Sequence, residues 1–468
     1  MRTLRILHTA DWHLGKRLAD VERTDDFRLF LDWLLDLVEA QAVDVLLISG
    51  DVFDTTMPAT DAQRLYYEFL SRAASSRLLK TVVTAGNHDS QRFLSAPKAL
   101  LGVMNCLIAG EAPEDEAFVI RDRSGEPLLG VAAVPYLREG DVRASGQSAS
   151  EAERFESWSA GVAKRYRAVR EILEEQLAAA GASESVPRVA MGHLFVAGSR
   201  LGEAALESEA TAGAPADASL PAADTSERES HYVGTLRNVS ADAFGADWDY
   251  VALGHIHAAQ TVKRYAGLGE ARYCGAPLAL AFKNERYAHQ MLLVEIDLDK
   301  PRTAHAARTR IVSVPVPQPR RVGRIRGNYD ELLAAIEAAA ARSAGELPPV
   351  LEVAFELDPV EARALIEPLR AAADKAGVVL GPIRATRAAE AERSEAALMR
   401  LEDITPEEVF EDVLGRLELD EAKTKSLKAS FAAALAEARD ALGVRRETGR
   451  GAEALAEIKR LCEKNEAE

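Results

Sequence analysis

Five apolar runs in the first 260 residues share one ending: a small residue, then a side chain of the metal-binding kind. "LRILHTA" (4–10) is followed by Asp11, Trp12 and His13, and "VDVLLISG" (43–50) by Asp51. "KTVVTAG" (80–86) leads to Asn87 and His88, "RVAMG" (188–192) to His193, and "DYVALG" (249–254) to His255 and His257. Together with "LLGVAAVP" (128–135), these runs read as strands. "DDFRLFLDWLLDLVEAQ", "DAQRLYYEFLSRAASS" and "ESWSAGVAKRYRAVREILEEQLAAA" space their apolar residues as helices do. The alternation predicts an α/β domain with sheet inside and helices outside. In such a domain, ligands gather beyond the carboxyl ends of the strands, and a small residue there lets the backbone turn sharply. One "GNHD" turn, or one buried histidine, is ordinary structure. Five such endings in register at one edge call for a common cause.

Asp11, His13, Asp51, Asn87, His193, His255 and His257 are more ligands than one open catalytic metal needs. They suit two divalent cations bridged by a carboxylate, an arrangement that hydrolyses phosphoesters in line. The mixture of imidazole, carboxylate and amide oxygen points to manganese or iron. His88 follows Asn87 directly and has no metal assigned to it, so it is the expected general acid or transition-state stabiliser. Asp89 is expected to orient His88, and Asp54 to belong to the same supporting layer. The net charge of −17 argues on composition alone against a nucleic-acid partner. Two divalent cations beside two aspartates leave a local surplus of about +2, which is enough to draw a phosphate to that edge.

A chain of 468 residues predicts two or three domains. Residues 203–224, "EAALESEATAGAPADASLPAAD", have no apolar period and read as a disordered insertion. "IVSVPVPQP" (311–319) reads as a linker, which ends the first domain at 310. Residues 320–388 then spell strand, helix, strand, helix, strand, a small α/β domain. A helical segment is expected over 404–445. Thr405 and Glu408 form a capping box around Pro406, and apolar stripes run from Val409 to Leu417 and from Leu427 to Leu442. No apolar stretch approaches the roughly 20 residues that span a bilayer. The N-terminus does not fit a signal peptide. Cys106, Cys274 and Cys462 form no CxxC pair and suit a reducing compartment. The expected location is the cytoplasm, away from membranes.

The motifs "DWHLG", "GDVFD", "AGNHDS", "GHLFVAG" and "LGHIH" resemble the five motifs of the calcineurin-like metallophosphoesterases. "ILHTADWHLGK", "SGDVFDT", "YCGAP" and "PEEVF" are similar to the family of nuclease subunits of bacterial SbcC–SbcD complexes, from residue 4 to about residue 440. The resemblance implies a calcineurin-like metallophosphoesterase β-sandwich flanked by helices, with a small α/β capping domain and C-terminal helices. It implies that Asp11, His13, Asp51 and His257 hold one metal, that Asp51, Asn87, His193 and His255 hold the other, and that His88 is catalytic. It further implies manganese as the metal and DNA as the substrate. Duplex DNA would be degraded from its 3′ end and single strands and hairpins cut internally, in DNA repair, recombination and replication. The implied assembly is a homodimer bound to an SbcC-type ATPase with a coiled coil. The chain has no G-x-x-x-x-G-K-[ST] loop, so ATP dependence would come from that partner. The capping domain would help hold DNA, with "PRRVGRIR" either supplying phosphate contacts or forming a solvated strand edge. Segment 404–445 would dock on the coiled coil, its apolar stripe being equally suited to pack on the chain's own surface. The insertion at 203–224 departs from the family pattern but touches no ligand. A phosphoesterase for small molecules or phosphoproteins would share the metals and differ at the rim. A non-catalytic scaffold would not need the intact ligand set.

Overall fold

Alternate residues of the apolar runs face opposite ways, so each run can be covered on both sides. The computed structural model describes residues 2–142, 151–196, 239–263, 265–342, 347–357 and 359–385, together with Lys428 and Phe431. Strands β1 (Thr3–Thr9), β2 (Val45–Ser49), β3 (Lys80–Thr84) and β4 (Cys106–Ile108) lie side by side and parallel. Strands β5 (Ala117–Arg121), β6 (Pro127–Ala133), β7 (Arg188–His193), β8 (Tyr250–Gly254), β9 (Gln260–Thr261) and β10 (Glu270–Tyr273) form a second sheet, ordered β5-β6-β7-β8-β10-β9. Within it β6, β7, β8 and β10 are parallel. Strand β11 (Gln290–Asp297) returns to the first sheet antiparallel to β1, and β12 (Thr309–Pro315) pairs outside it.

The two sheets pack face to face. Leu4, Ile6, Val45, Leu47 and Val82 of the first meet Val131, Val189, Met191, Tyr250 and Ala252 of the second. Their neighbours in sequence, such as Leu7, Leu46 and Ile48, face outward under helices Thr24–Ala40 and Thr60–Ala74. The outer face of the second sheet is covered by helix Glu151–Ala179 through Trp158, Val162, Tyr166, Val169 and Leu173. The layers are therefore helix, sheet, sheet, helix, which is the β-sandwich flanked by helices expected from the sequence. Both sheets direct the carboxyl ends of their parallel strands to one edge. His8, on the inward face of β1, is buried between the sheets with its Nδ1 2.9 Å from the Tyr250 hydroxyl. Burial drives its pKa down to about 3, so the ring is neutral.

Two sequence expectations need correction. Residues 311–315 do not link domains: Ile311, Val312 and Val314 lie in β12, hydrogen-bonded to β11 out to Pro315. Proline tolerates an edge strand, because an edge leaves one side of the backbone without partners, so the prolines there mark a strand edge and not a break. The arginines of "PRRVGRIR" are also largely engaged within the chain rather than held out for phosphates. Arg320 bonds buried Asp26, at 3.0 Å from Nε to Oδ2, while Arg324 pairs with Glu352 and Arg326 with Glu356.

Residues 320–385 form a parallel three-stranded sheet of β13 (Arg320–Gly327), β14 (Leu347–Phe355) and β15 (Val379–Ala385), with helices Tyr329–Ala341 and Pro359–Ala376 packed on it. Asn328 and Glu331 cap the first of these helices reciprocally. Val322 and Val350 of this small sheet pack on Leu18, Ala279 and Phe282 of the sandwich domain. Beside them, Asp26 joins Arg23 and Arg320 in a buried cluster. The expected insertion 203–224 and helical segment 404–445 lie outside the described residues, apart from Lys428 and Phe431. No helix among the described residues is long and apolar enough to cross a membrane. Cys106 and Cys274 are free and buried.

Candidate metal centre

Each ligand-type residue stands where a parallel strand has just ended, and the turns that follow are tight. Asp11, His13, Asp51 and His255 have φ values of 54°, 48°, 47° and 97°, the left-handed region that non-glycine residues rarely enter. Hydrogen bonds hold them there: the Asp11 and His13 N–H groups donate to the carbonyls of Gly50 and Asp51, both at 3.0 Å. The glycines of the motifs make room. A Cβ on Gly86 would lie 2.1 Å from Asp51 Oδ1, and one on Gly254 would lie 1.9 Å from the Ser49 carbonyl.

The structure brings all eight sequence-predicted site residues together. Asp51 Oδ2 lies between two imidazoles, 3.4 Å from His13 Nε2 and 3.2 Å from His193 Nε2. Asn87 Oδ1 lies 3.0 Å from His193 Nε2 and 2.9 Å from His255 Nδ1. One ligand atom each from Asp11, His13 and His257 falls within 4.8 Å of the others, as does one each from Asp11, Asp51 and His193. Neighbouring polar groups fix the orientations. His193 Nδ1 is 2.9 Å from the Ser49 carbonyl and His13 Nδ1 3.2 Å from Asp54 Oδ1, so both donate there and turn Nε2 into the cluster. Asp11 accepts the His255 N–H through Oδ1 at 2.9 Å, while its Oδ2 is buried and without a hydrogen-bond partner.

This donor set fits a cation. With Nδ1 donating, each neutral Nε2 presents a lone pair, and those lone pairs face carboxylate and amide oxygens that are themselves acceptors. Buried acceptors facing one another need a positive charge between them. Without a metal, protons fill that role. Burial opposes a charge on His193, but Asp51 and Asp11 outweigh it and raise its pKa to about 9. Burial, with Asp51 nearby, pushes Asp11 up to about 6. The Asp51 carboxyl is held well below its usual range by His193 and His13 against the cost of its burial. His255 drops to about 3 through burial and the charge on His193.

His88 is exposed at the mouth of the centre, with its ring 4.8 Å from that of His13. Its backbone N–H donates to Asp51 Oδ1 at 2.9 Å and its Nδ1 to the Asp54 carbonyl at 3.0 Å, and one of its ring nitrogens falls within 4.8 Å of ligand atoms of His13 and Asp51. Asp54 therefore supports both His13 and His88, as expected. Asp89 does not orient His88. It is buried and accepts three backbone N–H groups, from Val52 at 3.0 Å, Phe53 at 2.9 Å and Gly86 at 2.8 Å. It thereby ties the turn after β2 to the turn after β3. Sequence reasoning passed over Tyr136, whose ring centroid lies 6.3 Å from those of His193 and His255. The signal was available: "LLGVAAVPY" is a sixth strand of the same sandwich, ending at the same edge in an aromatic instead of a ligand.

Residues 4–259 match the family model for calcineurin-like phosphoesterases, and residues 318–416 match a model described as the Type 5 capsule protein repressor C-terminal domain. The SbcD component of the SbcCD nuclease of Escherichia coli K12 is 29% identical over 441 residues, spanning 92% of this chain and 98% of that protein. Its counterpart in Rhodobacter capsulatus is 33% identical over 87% of this chain and 93% of its own length. That of Bacillus subtilis is 32% identical over 62% and 66%.

Proposed function

We infer that this chain, which belongs to the calcineurin-like phosphoesterases and within them to the SbcD family, is a metal-dependent nuclease subunit. Its substrate is DNA and its partner an SbcC-type ATPase with a coiled coil. The observation that carries the reading is the position of Asp51 Oδ2 between His13 Nε2 and His193 Nε2, which puts one carboxylate within reach of both proposed ligand sets. Asp11, His13, Asp51 and His257 would hold one divalent cation, and Asp51, Asn87, His193 and His255 the other. The mixture of nitrogen and oxygen donors suits manganese or iron, and we assign manganese on the likeness to the SbcD family. When bound, such a pair supplies Lewis-acid stabilisation of a phosphodiester under in-line attack by water.

The side chains account for the rest. Ser49 and Asp54 keep the His193 and His13 lone pairs directed inward. Asp89 keeps the two turns that carry Asp51 and Asn87 in register. His88 Nε2, with the opposite nitrogen committed to the Asp54 carbonyl, is placed to donate a proton to the departing oxygen or to hold the phosphate. Residues 320–388 serve as the capping domain, supported by their buried junction with the sandwich. Segment 404–445 docks the ATPase, a role supported by its apolar stripes. A homodimer is proposed on the likeness to the SbcD family. Duplex degradation from the 3′ end, internal cutting of single strands and hairpins, and ATP dependence through the partner complete the proposed activity.

The test is cleavage of end-labelled linear duplex DNA in manganese by the full chain with its ATPase partner, with the mass of the same preparation read by light scattering. Asp51→Ala is expected to abolish cleavage. His88→Asn should slow it about 10²- to 10⁴-fold with metal binding retained. Equal degradation by Asp51→Ala would trace the activity to a contaminant. Hydrolysis of a phosphomonoester with no cleavage of DNA would replace the nuclease reading with that of a small-substrate phosphoesterase.

A further inference from the structure

We propose that the cleft beside the metal centre receives one unpaired nucleotide of the strand being cut, with Tyr136 beneath its base and Arg138 on its phosphate. The proposal rests on the nuclease reading above and adds to it where the substrate strand lies.

The cleft encloses about 570 Å³ between the turn that follows β3, at Gly86 and Ser90, and the segment that follows β6, from Pro135 to Arg138. A cube of that volume is about 8 Å on a side, whereas the major groove alone of B-DNA is about 12 Å wide. A double helix does not enter, but the volume lies within the range of small-ligand sites. Tyr136 joins the cleft to the chemistry. Its backbone N–H donates to the Ala85 carbonyl at 2.8 Å, which fixes it to the turn that leads to Asn87. Its half-buried ring borders the cleft and stands beside His193 and His255. A base stacked on an aromatic ring gains about 1–3 kcal/mol.

Charge separates the three arginines of the lining. Arg92 pairs with Glu111 at 2.9 Å, and Arg165 is held by Glu116 and the Glu111 carbonyl. Arg138 is exposed, and its guanidinium makes no ion pair among the described residues. Among the described residues of the lining it is the arginine whose guanidinium is open to a phosphate, with Asp141 turned to its backbone N–H at 2.7 Å. A nucleotide held there has to leave its helix, which costs least at duplex ends, in hairpin loops and in single strands.

The experiment compares kcat/KM for a single-stranded oligonucleotide with that for bis(p-nitrophenyl) phosphate, using the full chain with its partner. Arg138→Ala and Tyr136→Ala are each expected to lower the oligonucleotide-to-diester ratio about tenfold, and Tyr136→Phe to restore it. In wild type, an abasic nucleotide moved stepwise along the strand should suppress cleavage in one register relative to the cut. Arg138→Ala changes an exposed side chain, so the test survives if Tyr136→Ala fails to fold. A ratio constant within about twofold, with no register dependence, overturns the proposal and leaves the nuclease reading standing. A wild-type chain that hydrolyses the diester and no oligonucleotide overturns both.

Discussion

At the residue scale, the centre is a balance between acceptors and whatever cation lies among them. His193 shows it best, because Asp51 and Asp11 hold its pKa near 9 against burial. A group whose pKa is raised by folding stabilises the metal-free chain fully below its unfolded value near 6.5, and loses that contribution as pH rises through 9. At pH 7 to 8 the ring therefore carries a proton that a divalent cation must displace. Manganese binding is expected to release about one proton in that range, and its affinity to climb with pH until about 9. Calorimetry in buffers of different ionisation enthalpy measures the release. Equal heats in all buffers would show that His193 is already neutral.

At the scale of elements, what matters is how strands end. Asp89 accepts three N–H groups from two turns, and Asp89→Asn replaces one accepting oxygen with an amide that faces those donors. The expected loss is about 1.5–3 kcal/mol per charged bond removed, read from denaturant unfolding, with a shift in metal affinity because both Asp51 and Asn87 are released. Unchanged affinity would mean that the turns hold their shape unaided. These strand ends were legible in sequence because backbone and chemistry need the same residues there. Glycine is demanded where a Cβ would strike Asp51 or the Ser49 carbonyl, and the ligand follows it directly. β12 was misread because proline marks an edge strand as readily as a break. The roles of Asp89 and Tyr136 were not legible, since a carboxylate that binds backbone and one that binds a side chain look alike in sequence. The contact between Tyr136 and two histidines joins positions more than fifty residues apart.

At the scale of the whole described molecule, the small sheet of β13, β14 and β15 is joined to the sandwich by a modest apolar patch and by one buried carboxylate between two guanidinium groups. Asp26→Ala would leave Arg23 and Arg320 buried without their counter-charge, at an expected cost of about 3–5 kcal/mol. Hydrogen exchange should show residues 320–385 losing protection before β1, β2 and β3. A uniform loss, or a cost below about 1 kcal/mol, would mean that the apolar patch alone fixes the junction.

The ligand-type side chains come from both sheets: Asp11, His13, Asp51 and Asn87 from the ends of β1, β2 and β3, and His193, His255 and His257 from the ends of β7 and β8. The two plates of the sandwich meet elsewhere mainly through apolar side chains, whose attraction is not directional. Under mechanical load, an oily interface yields to shear long before a directional one does. The ligand-bearing edge would therefore act as a rivet, and a pull that drags one sheet past the other would be borne first at that edge.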